Sequence, residues 1–125
     1  MAARHNAYAP RVEQPRYNLL HREIEGGVLP RADALGMGLV VWSPLAQGIL
    51  TGKYNDGVPE GSRAATSSWL EGDLTEANLE RVRAFCALAE EAGTTPAKLA
   101  LAWCLTRPQV SSVITGATRV SQVED

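Results

Sequence analysis

Apolar and polar positions along this chain follow two periods, and the points where one gives way to the other mark its elements. Val12 to Gln14 reads as a first strand, closed by Pro15 and followed by a turn around Tyr17 and Asn18. A short helical stretch from about Val28 to Leu35 stops at Gly36, where a left-handed C-cap is expected. Leu39 to Ser43 is a second strand, apolar on both faces. That pattern fits a strand buried between helical layers, and therefore a parallel sheet. From Pro44 to Leu74 no period holds, and Gly57-Val58-Pro59-Glu60-Gly61-Ser62-Arg63 is turn chemistry. A structureless loop of about thirty residues is predicted there, and loops of that length are usually functional.

Helical spacing returns after Leu74. Thr75 is placed to N-cap a helix with apolar positions Leu79, Val82, Phe85, Cys86 and Ala89, which Gly93 ends. Thr95 followed by Pro96 starts another, carrying Leu99, Ala102 and Trp103 until Pro108 stops it. Val110 to Thr115 is a third strand, and Thr118 is expected to cap a last helix that has barely begun at Asp125. Strands separated by helical crossovers form a βαβ series with right-handed connections. The predicted class is α/β. A complete (β/α)8 barrel takes eight such units and typically ~250 residues, so these elements amount to about half of one. An open parallel sheet of three strands has two unpaired edges, which predicts weak stability alone or self-association through those edges.

Composition narrows the picture. The 125 residues are 45% hydrophobic and 21% charged with a formal charge of −2, the profile of a soluble globular domain. Charges are interspersed, so neither nucleic acid nor an anionic membrane surface is an expected partner. No apolar run approaches the ~20 residues of a membrane span. Met1-Ala2-Ala3-Arg4-His5-Asn6 lacks the apolar stretch of a signal peptide. Together these predict a cytoplasmic protein without membrane insertion. Cys86 and Cys104 stand in helical segments with no CxxC pair, which predicts buried free thiols rather than a zinc site or a disulfide.

Candidate chemistry lies where strands run into loops. After the second strand come Trp42-Ser43-Pro44-Leu45-Ala46-Gln47-Gly48 and Gly52-Lys53-Tyr54. Gly48 to Lys53 is not a Walker A loop: three residues rather than four separate its glycines, and Tyr54 stands where Ser or Thr would hold magnesium. Lys53 still suits a pyrophosphate, with Ser43 and loop N–H groups as donors, and suits equally a solvated place on a turn. After the third strand, Gly116 permits close backbone approach, and Arg119 beside the cap at Thr118 suits a terminal phosphate. A plain cap with an exposed arginine reads the same residues. Trp42, at the carboxyl end of its strand, either stacks on a ligand ring or packs in the core. Trp103 reads as core, and Trp69 as either a lid residue or a packed anchor. Gln14 ends the first strand at the same face, where its carboxamide suits another carboxamide or a simple turn. His5 and His21 are isolated and read as surface or capping residues. No Ser-His-Asp set, GxSxG elbow, paired catalytic carboxylates or metal-ligand cluster is present in the sequence pattern.

Gln14-Pro15-Arg16-Tyr17-Asn18-Leu19-Leu20-His21-Arg22-Glu23, the Trp42 to Gly48 and Thr51 to Tyr54 motifs, Ala102-Trp103-Cys104-Leu105 and Gly116-Ala117-Thr118-Arg119 occur in one order. Together they resemble the aldo-keto reductases, particularly the branch holding potassium-channel β-subunits and their bacterial relatives. The resemblance covers essentially the whole chain, residues 1–125, and implies the carboxyl-terminal part of that family's TIM barrel, about strands 6 to 8 with their helices. It implies NADP(H) as cofactor and reduction of a small-molecule carbonyl, an aldehyde or ketone, by hydride transfer.

The resemblance also assigns roles. Gln14 looks like the glutamine bonded to the nicotinamide carboxamide, and Trp42 like the aromatic stacked on the nicotinamide. Ser43, Pro44, Leu45, Ala46 and Gln47 match the loop around the pyrophosphate, with Lys53 and Arg63 as basic residues of the belt over it. Gly116, Thr118, Arg119 and Gln122 match the pocket for the 2′-phosphate and adenine. Asp125 stands where the family usually has glutamate. The family's catalytic Tyr, Lys, Asp and His belong to the first half of the barrel, and none maps onto this chain. The expectation is a cofactor-binding fragment lacking the amino-terminal barrel half, inactive alone, from a truncated reading frame. The alternative is a non-catalytic NADP(H)-sensing or partner-docking module.

Overall fold

Leu39 and Val41 alternate onto one face of a central strand, and the fold is organised around burying them. A computed structural model describes residues 8–125; His5 lies outside them. Three strands, β1 (Val12–Glu13), β2 (Gly38–Trp42) and β3 (Val110–Ile114), form one parallel sheet in the order β1-β2-β3. Val12 pairs with Gly38 and Glu13 with Leu39 on one side of β2. On the other, Leu39 pairs with Val110, and the register then shifts so that Trp42 pairs with Ile114. A backbone bridge from Arg16 to Trp42 extends the first pairing past Pro15. The expected α/β series with parallel strands is therefore present.

Between the strands run α1 (Val28–Ala34), α2 (Arg63–Thr66), α3 (Glu76–Glu91), α4 (Pro96–Leu105) and, after β3, α5 (Ser121–Glu124). Local signals explain most boundaries. Gly36 follows α1 at φ +60. Thr75 and Thr95 accept the N–H groups of Asn78 and Lys98 as N-caps of α3 and α4, and Pro96 opens α4. Leu39 and Val41 are fully buried against Leu29 and Ala32 of α1 and Cys104 of α4, with Tyr17 and Ile24 closing the layer. Trp103 packs on the edge of this core, its ring 4.9 Å from that of Tyr17, with the Arg22 guanidinium over it at 5.5 Å. Among the described residues no second helical layer covers the other face of β2: Val40 is half-buried and Trp42 is 41% exposed.

The Tyr17 hydroxyl anchors a polar tie behind the sheet. It donates to Glu25 at 2.7 Å and accepts from Arg107 Nε at 3.1 Å, while Arg22 and Arg107 also donate to the Glu25 carboxylate. The Arg22 hydrogen bonds, with those from Tyr17 and the charge of Arg107, outweigh burial and hold the Glu25 carboxyl at about 2.

The predicted structureless loop is overturned. Residues 44–74 contain a 3-10 segment at Ala46–Thr51, the helix α2 and a second 3-10 turn at Ser68–Leu70. Ile49, Leu50, Tyr54 and Leu70 are at most 1% exposed and form a second core with Val82 of α3 and Ala100 of α4. Turns of three to six residues are too short for periodicity to register, although the apolar side chains that nucleate them are in plain view. Smaller corrections concern side chains. Ala102 is exposed, and the buried positions of α4 are Ala100 and Cys104. Cys104 is buried as expected, whereas Cys86 is only half-buried; both are free thiols. Burial pushes the Cys104 thiol up to about 11. Trp69, 80% exposed, is no packed anchor. No helix among the described residues is long and apolar enough to cross a membrane.

Candidate functional site at the strand exits

The carboxyl ends of β2 and β3 lie side by side, because Trp42 and Ile114 are register partners. Both loops singled out from the sequence therefore leave the same end of the sheet, and β1 delivers Gln14 there too. The Trp42 indole donates from Nε1 to the Gln14 carbonyl at 3.2 Å, which orients the ring at this rim. Its accessible surface rules out the core-packing alternative.

The backbone beyond Trp42 is unusual. Ser43, Ala46 and Gln47 have φ of 55, 47 and 58, followed by Gly48 at 98 and Gly52 at 80. Left-handed geometry is easy for glycine but costs non-glycine residues on the order of 1–3 kcal/mol each. The surroundings hold it: Pro44 is buried, Ala46 is fully buried, and Ile49 and Leu50 anchor the loop in the second core. Ala46 N–H donates to Ser43 O at 3.0 Å, and Gly48 N–H to Leu45 O at 2.9 Å. Among the described residues the buried Gln47 side-chain oxygen has no hydrogen-bond partner. Lys53 folds back so that its Nζ lies 5.0 Å from the Tyr54 ring centroid, and a Cβ on Gly48 would meet its Cε and Nζ at 2.7 Å. This brings the lysine onto the loop it was predicted to serve. Arg63, in α2, is exposed.

At the β3 exit, residues 115–125 are all exposed. Thr118 does not cap the last helix, which begins at Ser121 behind Val120 without a side-chain cap. Gln122 reaches back instead: its Oε1 accepts from Thr118 N at 2.8 Å, Thr118 Oγ1 at 3.3 Å and Arg119 N at 3.2 Å. Thr118, Arg119 and Gln122 thus form one local turn, with Gly116 leading into it. Asp125 turns away, to Lys98 Nζ at 3.1 Å and the Thr95 hydroxyl at 3.4 Å.

Three residues at this rim were given no site role from the sequence. Asn18, fully buried, donates from Nδ2 to Ser43 O at 2.8 Å and accepts at Oδ1 from the N–H groups of Leu20 and His21. Arg16 lies over Trp42, its Cζ 5.9 Å from the ring centroid, and pairs with Asp73. His21, read as a surface or capping residue, is half-buried with Nε2 2.9 Å from Asp73 Oδ1. Asparagine's habit of bonding backbone two or three residues on could have flagged Asn18. Nothing local links residues 57 apart such as Arg16 and Asp73. Among the described residues no group of His, Cys, Asp and Glu could hold a metal ion.

Comparison with known proteins adds a family. A model of the aldo/keto reductase family matches residues 1–125. An Arabidopsis thaliana protein named "Probable voltage-gated potassium channel subunit beta" is 46% identical over 129 residues, spanning 99% of this chain and 39% of its own length. The L-glyceraldehyde 3-phosphate reductase of Escherichia coli K12 is 40% identical over 124 residues, 91% of this chain and 35% of its own length. Among solved structures, the glycerol dehydrogenase of Gluconobacter oxydans superposes with a TM-score of 0.73 at 26% identity, over 95% of this chain and 37% of that one. The chain thus spans less than two-fifths of the length of these relatives.

Proposed function

Because this chain belongs to the aldo/keto reductase family, we propose that it forms the NADP(H)-holding part of a cytoplasmic reductase of aldehydes or ketones, as a partial domain of that barrel. The observation that carries this reading is the run of left-handed residues at Ser43, Ala46 and Gln47, directly after an exposed indole. Strain of this kind clusters at ligand sites, where the surrounding packing maintains it. The cofactor, when bound, supplies the hydride chemistry, and the chain's residues bind and orient it.

In this reading Gln14 bonds the nicotinamide carboxamide and Trp42 offers its indole to the ring. Ser43, Pro44, Leu45, Ala46 and Gln47 surround the pyrophosphate, and the partnerless Gln47 oxygen fits a site with a polar group still to be satisfied. Lys53 and Arg63 bring positive charge. Gly116, Thr118, Arg119 and Gln122 receive the 2′-phosphate and adenine, with Arg119 as the bidentate partner of the phosphate. Asp125 joins them only by releasing Lys98. Neither Tyr17 nor Tyr54 is the acid for the carbonyl oxygen. Tyr17 and Tyr54 are buried and hydrogen-bonded, to Glu25 and to the Ala64 N–H.

Titration of the protein with NADPH and NADH, followed by tryptophan fluorescence, tests the reading. NADPH is expected to bind more tightly, and Arg119→Ala to erode that preference by about tenfold through loss of a charge-assisted contact. Equal affinity for the two cofactors in the unmutated protein would remove the 2′-phosphate assignment. A non-catalytic, cofactor-sensing module is the second reading, favoured by the channel-subunit name of the Arabidopsis relative. NADPH binding with no carbonyl reduction by the full-length protein would select it.

A further inference from the structure

The parallel bridge between Arg16 and Trp42 sets their side chains next to each other, on the face of β2 opposite Leu39 and Val41. The Arg16 Cζ accordingly lies over the indole, 5.9 Å from its centroid, within the range of a cation–π contact. The indole is itself fixed, by its hydrogen bond to the Gln14 carbonyl. Behind the ring, Arg16 Nη2 pairs with the Asp73 carboxylate, whose other oxygen is 2.9 Å from His21 Nε2. The Arg16 side chain is 28% exposed and that of Asp73 14%, so water and salt screen these charges poorly. The ion pair thus sets its positive member over the ring.

We infer that Arg16 sets the balance between the two redox forms of the cofactor, disfavouring NADP+ relative to NADPH, with Asp73 as its counterweight. This rests on the cofactor reading above, in which the nicotinamide lies against the Trp42 indole. Loss of a hydride to a carbonyl carbon takes an electron pair from the nicotinamide and leaves its ring with a positive charge. The phosphates are the same in both forms, so the ring charge is what a nearby side chain can distinguish. A guanidinium sharing the indole opposes that charge, and it also draws on the electron-rich π face that would otherwise favour a cationic ring. The Asp73 carboxylate acts in the opposite sense and offsets part of the effect.

Competition between NADPH and NADP+, followed by NADPH fluorescence at about pH 8, where an ordinary histidine such as His21 is neutral, tests this. The quantity read is the ratio of the two dissociation constants, which does not depend on how much of a variant is folded. Arg16→Gln is expected to move the ratio about fivefold towards NADP+, and Asp73→Asn by a similar factor towards NADPH, because the charges removed have opposite signs. Arg16→Lys keeps the charge and should hold the ratio within about twofold of the unmutated protein. A ratio unmoved by Arg16→Gln, or moved the same way by Arg16→Gln and Asp73→Asn, overturns the inference, since loss of mere support at the rim would do either. Binding of neither form by the unmutated protein removes the cofactor reading and this inference with it, whereas binding with an unmoved ratio removes the inference alone.

Discussion

The two strand exits look alike in sequence, each a glycine-containing loop with one basic residue, yet they are built differently. The β2 exit is strained and buried: Ala46, Ile49 and Leu50 are at most 1% exposed, and three non-glycine residues sit at positive φ. The β3 exit is relaxed and exposed, held by the Gln122 carboxamide and the Lys98–Asp125 pair. The difference teaches where binding geometry can be stored. A strained loop keeps its shape when a hydrophobic core beneath over-determines it. A turn held by surface hydrogen bonds is free to rearrange around whatever it contacts.

Truncating an anchor on each side breaks the comparison most severely. Ile49→Ala is expected to cost about 2–5 kcal/mol, as large buried aliphatic groups do. Val123→Ala, at a residue 74% exposed, should stay within about 0.5 kcal/mol. Denaturant melts of the two variants check this, and similar losses would show that the exits share one kind of support.

A glycine substitution gives the next largest contrast. At Gly52, φ is +80 and a Cβ would stand 2.7 Å from Cys86 Sγ, whereas at Gly116 nothing lies within 4 Å and φ is not positive. Gly52→Ala should lower stability by about 1–3 kcal/mol and Gly116→Ala by less than about 0.5 kcal/mol. Thermal unfolding of both variants reads the difference.

Acid sharpens the comparison from below, with the smallest effect. The Tyr17–Glu25–Arg107 tie joins the turn after β1 to the entrance of β3, behind both exits. Glu25 has a folded value of about 2 against an ordinary 4.5. A depressed carboxylate contributes stability that is fully present above its unfolded value and lost as pH falls from about 4.5 towards about 2. Arg22 is half-exposed, so the contribution is screened. Glu25→Gln should flatten the stability curve in that window; an unaltered curve would show that the network carries no pH dependence.

Much of this was legible residue by residue. Gly36, Thr75, Thr95-Pro96 and the apolar spacing of Leu79, Val82, Phe85 and Ala89 announced α1, α3 and α4, because caps and amphipathic faces are local physics. The Trp42 to Gly48 motif and the Thr118 to Gln122 turn pointed to one end of the sheet. The 3-10 segments were not legible, since their stability comes from Ile49, Leu50 and Leu70 meeting α3 and α4 rather than from any repeat of their own.

What the sequence determined alone was the three strands with α1, α3 and α4, their parallel arrangement and the family, because these rest on short-range propensity and ordered motifs. Only the tertiary structure decided that Trp42 faces outward, that Ser43, Ala46 and Gln47 are held left-handed, and that Asp73 meets Arg16 and His21. Each of those depends on groups far apart in the chain being packed side by side, and distance along a chain carries no record of such neighbours until the chain has folded.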